Sequence, residues 1–147
     1  MMNIEEIEKR LIALEDQEEI KKLHQHYVGL MGNLEFDKIP ELFEQDAIVE
    51  IRNHGAKQGL QAVTELFSEV SKRRKGIKEG HMAIQPDISI EGETAFGTWL
   101  IYILFSKPSV QWVQGVNECE YVKKNGKWKF RKLKFTRTNA SQADMFP

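Results

Sequence analysis

Three side chains suited to moving protons or holding charge come from three separate stretches of this sequence. Tyr27 ends LEDQEEIKKLHQHY, His81 opens HMAIQPDISI, and Arg137 closes NGKWKFRKLKFTR. Imidazole titrates near neutrality, so His81 can accept or deliver a proton. Tyr27 lies on an apolar helical stripe and points inward, where it is either a core tyrosine with a satisfied hydroxyl or a hydrogen-bond donor to a substrate oxygen. A guanidinium set beside Leu133 and Phe135 needs an anion to offset lost hydration. Arg137 can find one in a substrate carboxylate or in Glu118. His24, three residues before Tyr27, can meet it on the helix flank or stand half in water.

These groups act together only if the elements carrying them converge. Ile4, Ile7, Leu11 and Leu14, then Ile20, Leu23, Tyr27, Leu30 and Met31, recur at helical spacing. Asp16 followed by Glu19 reads as a capping pair, which predicts a break near Glu15-Asp16 between a first helix over 1–15 and a second ending near Gly32-Asn33. A short helix over 36–44, a strand over 47–51 and an amphipathic helix over 60–74 follow. The KRRK run at 72–75 reads as the solvated end of that helix.

From residue 81 the period changes to two. Strands are expected over 81–90, 94–106, 110–123 and 127–138, with 139–147 as a flexible tail. Strand parity puts Ile84, Ile88 and Ile90 on one face and His81 on the other, unless Pro86 marks a bulge that resets the alternation. Asn125-Gly126 is a two-residue hairpin turn, since both residues tolerate positive φ. Pairing Lys124 with Lys127 then sets Gln114 opposite Arg137, Val116 opposite Phe135 and Glu118 opposite Leu133; if the turn near Pro108 pairs Phe105 with Trp112, Trp99, Ile101, Ile103 and Phe105 share that face. Leu100, Tyr102, Leu104, Val113, Tyr121 and Phe130 fall on the opposite face. Helices followed by an antiparallel meander make one α+β domain over 1–147, N-terminal helices packed on a curved sheet. The second sheet face is too apolar to stay wet, so a homodimer through that outer face is expected.

Composition narrows the partners. The formal net charge is -1, which argues against a polyanion binder, and the hairpin KKNGKWKFRKLKF is explained by strand alternation without a nucleic acid. The lone Cys119 has no CxxC partner, the four histidines form no HExxH, and no phosphate-binding glycine loop occurs, so neither a metal nor a cofactor is expected. With neither a signal-like run nor a membrane-length apolar segment, the expectation is a cytoplasmic protein.

The order of elements, with LEDQEEIKKLHQHY, GHMAIQPDISIEGETAFGTW and NGKWKFRKLKFTR, resembles the SnoaL-like branch of the nuclear transport factor 2-like superfamily, nearest to the bile-acid 7α-dehydratase and scytalone dehydratase-like members. The resemblance implies a cone-shaped α+β barrel around an apolar pocket, commonly dimeric. It carries the family's catalytic tyrosine onto Tyr27, its histidine onto His81 and its pocket arginine onto Arg137. The family's two acidic positions fall on Gly32 and Ile103, which leaves Glu118 either to replace the lost acid or to pair structurally with Arg137. The implied activity is cofactor-independent acid-base chemistry (dehydration, isomerisation or cyclisation) on a small or polycyclic oxygenated apolar molecule. Tyr27, His81, Arg137 and Glu118 would be catalytic. His24, Trp99, Ile101, Ile103, Phe105, Gln114, Val116, Leu133 and Phe135 would form the pocket. The alternative is a non-catalytic small-molecule-binding or protein-interaction dimer of the same fold.

Overall fold

The structure, a computed structural model, describes residues 1–142. Helix α1 (Ile4–Gly32) opens on Asn3, whose side chain accepts from the Glu6 amide at 2.9 Å. A 3-10 turn (Phe36–Leu42) leads into β1 (Phe43–Ile51). A second short turn (Arg52–His54), β2 (Ala56–Gln58) and α2 (Leu60–Arg74) follow. Four long strands come next: β3 (Gly80–Glu91), β4 (Thr94–Phe105), β5 (Gln111–Lys124) and β6 (Lys127–Ala140). The sheet order is β2-β1-β6-β5-β4-β3, with β1 and β6 parallel and the other neighbours antiparallel. Because α1 packs against both β3 and β6, the sheet must curl around the helix, an α+β architecture as expected.

The break expected near Glu15-Asp16 does not occur. The Asp16 carboxylate caps nothing. It is buried, and accepts from the Trp128 indole and the Lys123 ammonium, each at 2.9 Å, so tertiary partners hold it inside a continuous helix. What the sequence shows at this point is a change of apolar face. Residues 1–15 are exposed throughout, whereas Asp16, Ile20, His24, Tyr27 and Met31 are buried against the body. The expected helix over 36–44 is a 3-10 turn that yields to β1 at Phe43. Strand β6 runs to Ala140, into the segment expected as tail; residues 143–147 of that segment lie outside the described residues.

The Asn125-Gly126 turn is as expected, with both φ positive and Lys124 paired to Lys127. Six residues further on the expected register fails. A shift between Glu120 and Tyr121 leaves Arg131 unpaired, so Leu133 meets Cys119, Phe135 meets Asn117 and Arg137 meets Gly115. One extra residue in one strand reverses every later side chain relative to its partner. Val113, Gly115, Asn117, Cys119 and Tyr121 therefore face inward with Phe130, while Gln114, Val116 and Glu118 take the outer face. Gly115 permits this register, because a Cβ there would stand 2.4 Å from the Phe135 ring. A further bulge, at Gln85-Pro86, resets β3 so that His81 and Ile88 share the inner side.

Candidate functional site

Between α1, α2, the turn over 52–54 and the inner face of β3 to β6 lies a cavity of about 320 Å³. Val28, Met31, Val70, Ile101, Ile103, Phe105, Val113 and Phe135 give it apolar walls, and Ile51, Arg52, Asn53, His54 and Arg73 also line it. Its remaining polar groups are Tyr27, Arg74, His81 and Asn117. Of the residues expected from sequence, Tyr27, His81, Ile101, Ile103, Phe105 and Phe135 are brought together there.

His81 sits on β3 opposite Ile103, its side chain 5% exposed. Its Nε2 lies 2.9 Å from Glu79 Oε2, and the same carboxylate is bound by the Arg74 guanidinium. The carboxylate is itself 4% exposed. Burial, and then the nearby Arg74 charge, lower the His81 pKa to about 3, so the ring rests neutral. Burial also lowers Arg74, to about 10, which leaves it cationic at neutral pH. A neutral imidazole facing a carboxylate donates Nε2–H to it. Nδ1 is then left as the proton-accepting nitrogen.

Position 32, where the resemblance places an acid, does face this histidine: a Cβ on Gly32 would lie 3.9 Å from His81 Cβ and 3.5 Å from the Glu79 carbonyl oxygen. In this chain the carboxylate beside His81 is supplied by Glu79, at the approach of β3. Glu79 was legible in principle, since residues i and i+2 of an extended chain share a face. Its place in a basic, glycine-punctuated loop masks that signal. Arg74 was legible too. It follows Val63, Leu66, Phe67 and Val70 on the buried stripe of α2, so it turns inward and is not part of a solvated helix end.

Tyr27 is buried among Phe43, Phe67 and Phe130, with ring centroids 5.5 to 6.2 Å away, and it lines the cavity. Burial pushes its phenol well above the ordinary range, so it stays protonated and keeps a hydroxyl hydrogen to donate.

Several expected site residues are not in the site. His24 is neither a lining residue nor half in water; it is fully buried and stacked on Trp99 at 4.4 Å. Its Nδ1 lies 3.0 Å from the Tyr121 hydroxyl, which also accepts from Trp99 Nε1 at 3.0 Å, and its Nε2 lies 3.1 Å from Asn117 Nδ2. One proton arrangement satisfies all four: Asn117 donates to Nε2, Nδ1–H donates to Tyr121, and Tyr121 donates to the Cys119 thiol. His24 and Trp99 thus form the support beneath Asn117, and Leu133 belongs to the main core. Gln114, Val116 and Glu118 are on the outer face, so Glu118 neither orients His81 nor pairs with Arg137 across the pocket. Arg137 is not among the lining residues. Its charge is felt by Arg52, whose backbone takes the uncommon φ of 47° at the cavity.

Residues 13–134 match the SnoaL-like domain, and the chain belongs to that family. Solved structures share the fold at low identity. A nuclear transport factor 2-like protein with a cystatin-like fold from Novosphingobium aromaticivorans is 18% identical with TM-score 0.83, over 97% of this chain and 94% of that one. A candidate scytalone dehydratase from the same organism is 15% identical with TM-score 0.78, over 91% of each chain. Hexachlorocyclohexane dehydrochlorinase LinA-type3 from Novosphingobium barchaimii is 17% identical with TM-score 0.78, over 92% of this chain and 96% of that one. No curated protein is a significant match.

Proposed function

We propose that this protein is a cofactor-independent acid-base enzyme, a hydro-lyase or isomerase, acting on a small or polycyclic apolar molecule that carries an oxygen function. The observation that carries this reading is the His81–Glu79 pair, 2.9 Å apart and almost fully buried, whose imidazole lines an apolar-walled cavity together with Tyr27. Nδ1 of His81 takes a proton from a carbon activated by a neighbouring oxygen, and the imidazolium that forms is held against the Glu79 carboxylate. Tyr27 donates a hydrogen bond to the substrate oxygen as charge builds on it. The proton then returns to a departing hydroxyl, releasing water, or to a second carbon, giving an isomer. A candidate scytalone dehydratase and a hexachlorocyclohexane dehydrochlorinase are among the structural neighbours, and both names denote eliminations, which supports this class.

A binder without chemistry would use the same cavity. It would gain little from a charged cluster whose desolvation is costly, and this favours the enzyme. The exposed outer patch of Met82, Ile84, Leu104 and Trp112 is the sheet surface through which the expected homodimer would pair.

A test that needs no known substrate is deuterium exchange of the α-protons of cyclic ketones such as 2-tetralone, followed by NMR. Exchange above buffer that is lost in His81→Asn, in a variant with an unchanged fold, is the expected result. A panel of such ketones showing no acceleration, or full activity in His81→Asn, would overturn the reading.

A further inference from the structure

The first half of α1 carries an apolar stripe that its own domain cannot bury. Ile4, Ile7, Leu11 and Leu14 are 73%, 49%, 53% and 66% exposed. At about 100° per residue their mean direction lies roughly 160° around the helix from the stripe of Ile20, His24 and Tyr27 that faces the body. No bending of α1 toward its own sheet would cover them. The segment is nevertheless built to be helical, with the Asn3 cap and with Glu5 and Glu6 in the first turn. A lone helix of this length is marginal in water, so a packing partner is the physical complement of the stripe.

We propose that the projecting half of α1 pairs with the same segment of a second copy as a short, parallel, two-stranded coiled coil. The spacing of three, four and three residues along the stripe is that of alternating a and d positions. Glu8 and Glu15 then occupy e, and Arg10 occupies g. In a parallel pair each Arg10 faces the partner's Glu15, so two attractive contacts form across the axis. An antiparallel pair would set Glu8 against Glu15. The parallel arrangement also leaves room for the domains, because each body lies on the side of its helix away from the pairing stripe.

The test uses the full-length chain in sedimentation velocity over a concentration series. Residues 4–14 are exposed, so substitutions there leave the domain folded. Wild type is expected to associate reversibly, and Leu11→Glu to abolish that step up to about 100 µM. Arg10→Glu is expected to weaken it about tenfold, with the exchange Arg10→Glu/Glu15→Arg restoring it. Ile4→Cys should form a disulfide dimer on mild oxidation only if the helices are parallel, and the buried Cys119 gives no background. A monomer at that concentration would overturn the proposal. So would association that survives Leu11→Glu but is lost in Leu104→Glu/Trp112→Glu, or an exchange variant no tighter than Arg10→Glu.

Discussion

Acid should destabilise this protein through two buried imidazoles, and the size of the effect follows from their surroundings. His24 is enclosed with both ring nitrogens bonded to neutral groups, and burial lowers its pKa from 6.5 to about 3. His81 is lowered to about 3 by burial and by Arg74. In both cases the unfolded chain binds a proton that the folded chain refuses. Stability therefore rises with pH between about 3 and 6.5 and is lost as pH falls through that window. At pH 5 the unfolded imidazole favours its protonated form about thirtyfold, which amounts to about 2 kcal/mol per histidine. His24 should show this in full. His81 should show less, because Glu79 at 2.9 Å can hold an imidazolium. The assay is urea unfolding at pH 8, 6.5 and 5 for wild type, His24→Gln and His81→Asn. Wild type should be about 3 kcal/mol less stable at pH 5 than at pH 8, and His24→Gln, weaker at pH 8, should lose about 2 kcal/mol less on acidification. His81→Asn should flatten the slope by a smaller amount. Identical pH slopes in all three proteins would refute the argument that these rings are held neutral by burial.

Two further outcomes follow from the packing. Glu79→Gln leaves the buried Arg74 without its counter-charge and should cost about 3 to 5 kcal/mol in chemical unfolding, with the added loss of Arg74→Gln in the Glu79→Gln background much smaller than in wild type. Gly115→Ala would put a Cβ 2.4 Å from the Phe135 ring and 2.7 Å from the Thr136 carbonyl oxygen. It should lower stability by about 2 kcal/mol or more, visible as a drop in Tm, whereas an unchanged Tm would mean that the β5–β6 register differs from the one described.

The secondary-structure elements are largely legible in local pattern. Periodicity located α2 and the four long strands, the Asn-Gly pair set the last turn, and helical phase pointed Tyr27 inward, because these depend on neighbours a few residues away. The sequence also recorded the switch of apolar face at Asp16. Only the tertiary structure showed that the helix runs on through this point, since the partners of Asp16 lie on a hairpin more than a hundred residues later. The site depended on the same kind of distant information. A bulge at Arg131 and a β4–β5 turn that pairs Phe105 with Gln111, not Trp112, exchanged Glu118 for Asn117 on the inner face, and no local rule fixes where a ladder gains one residue. The acid beside His81 came from Glu79, two residues away along the chain. Its role was decided by Arg74, which α2 carries into the same buried space and which makes a carboxylate there physically tolerable.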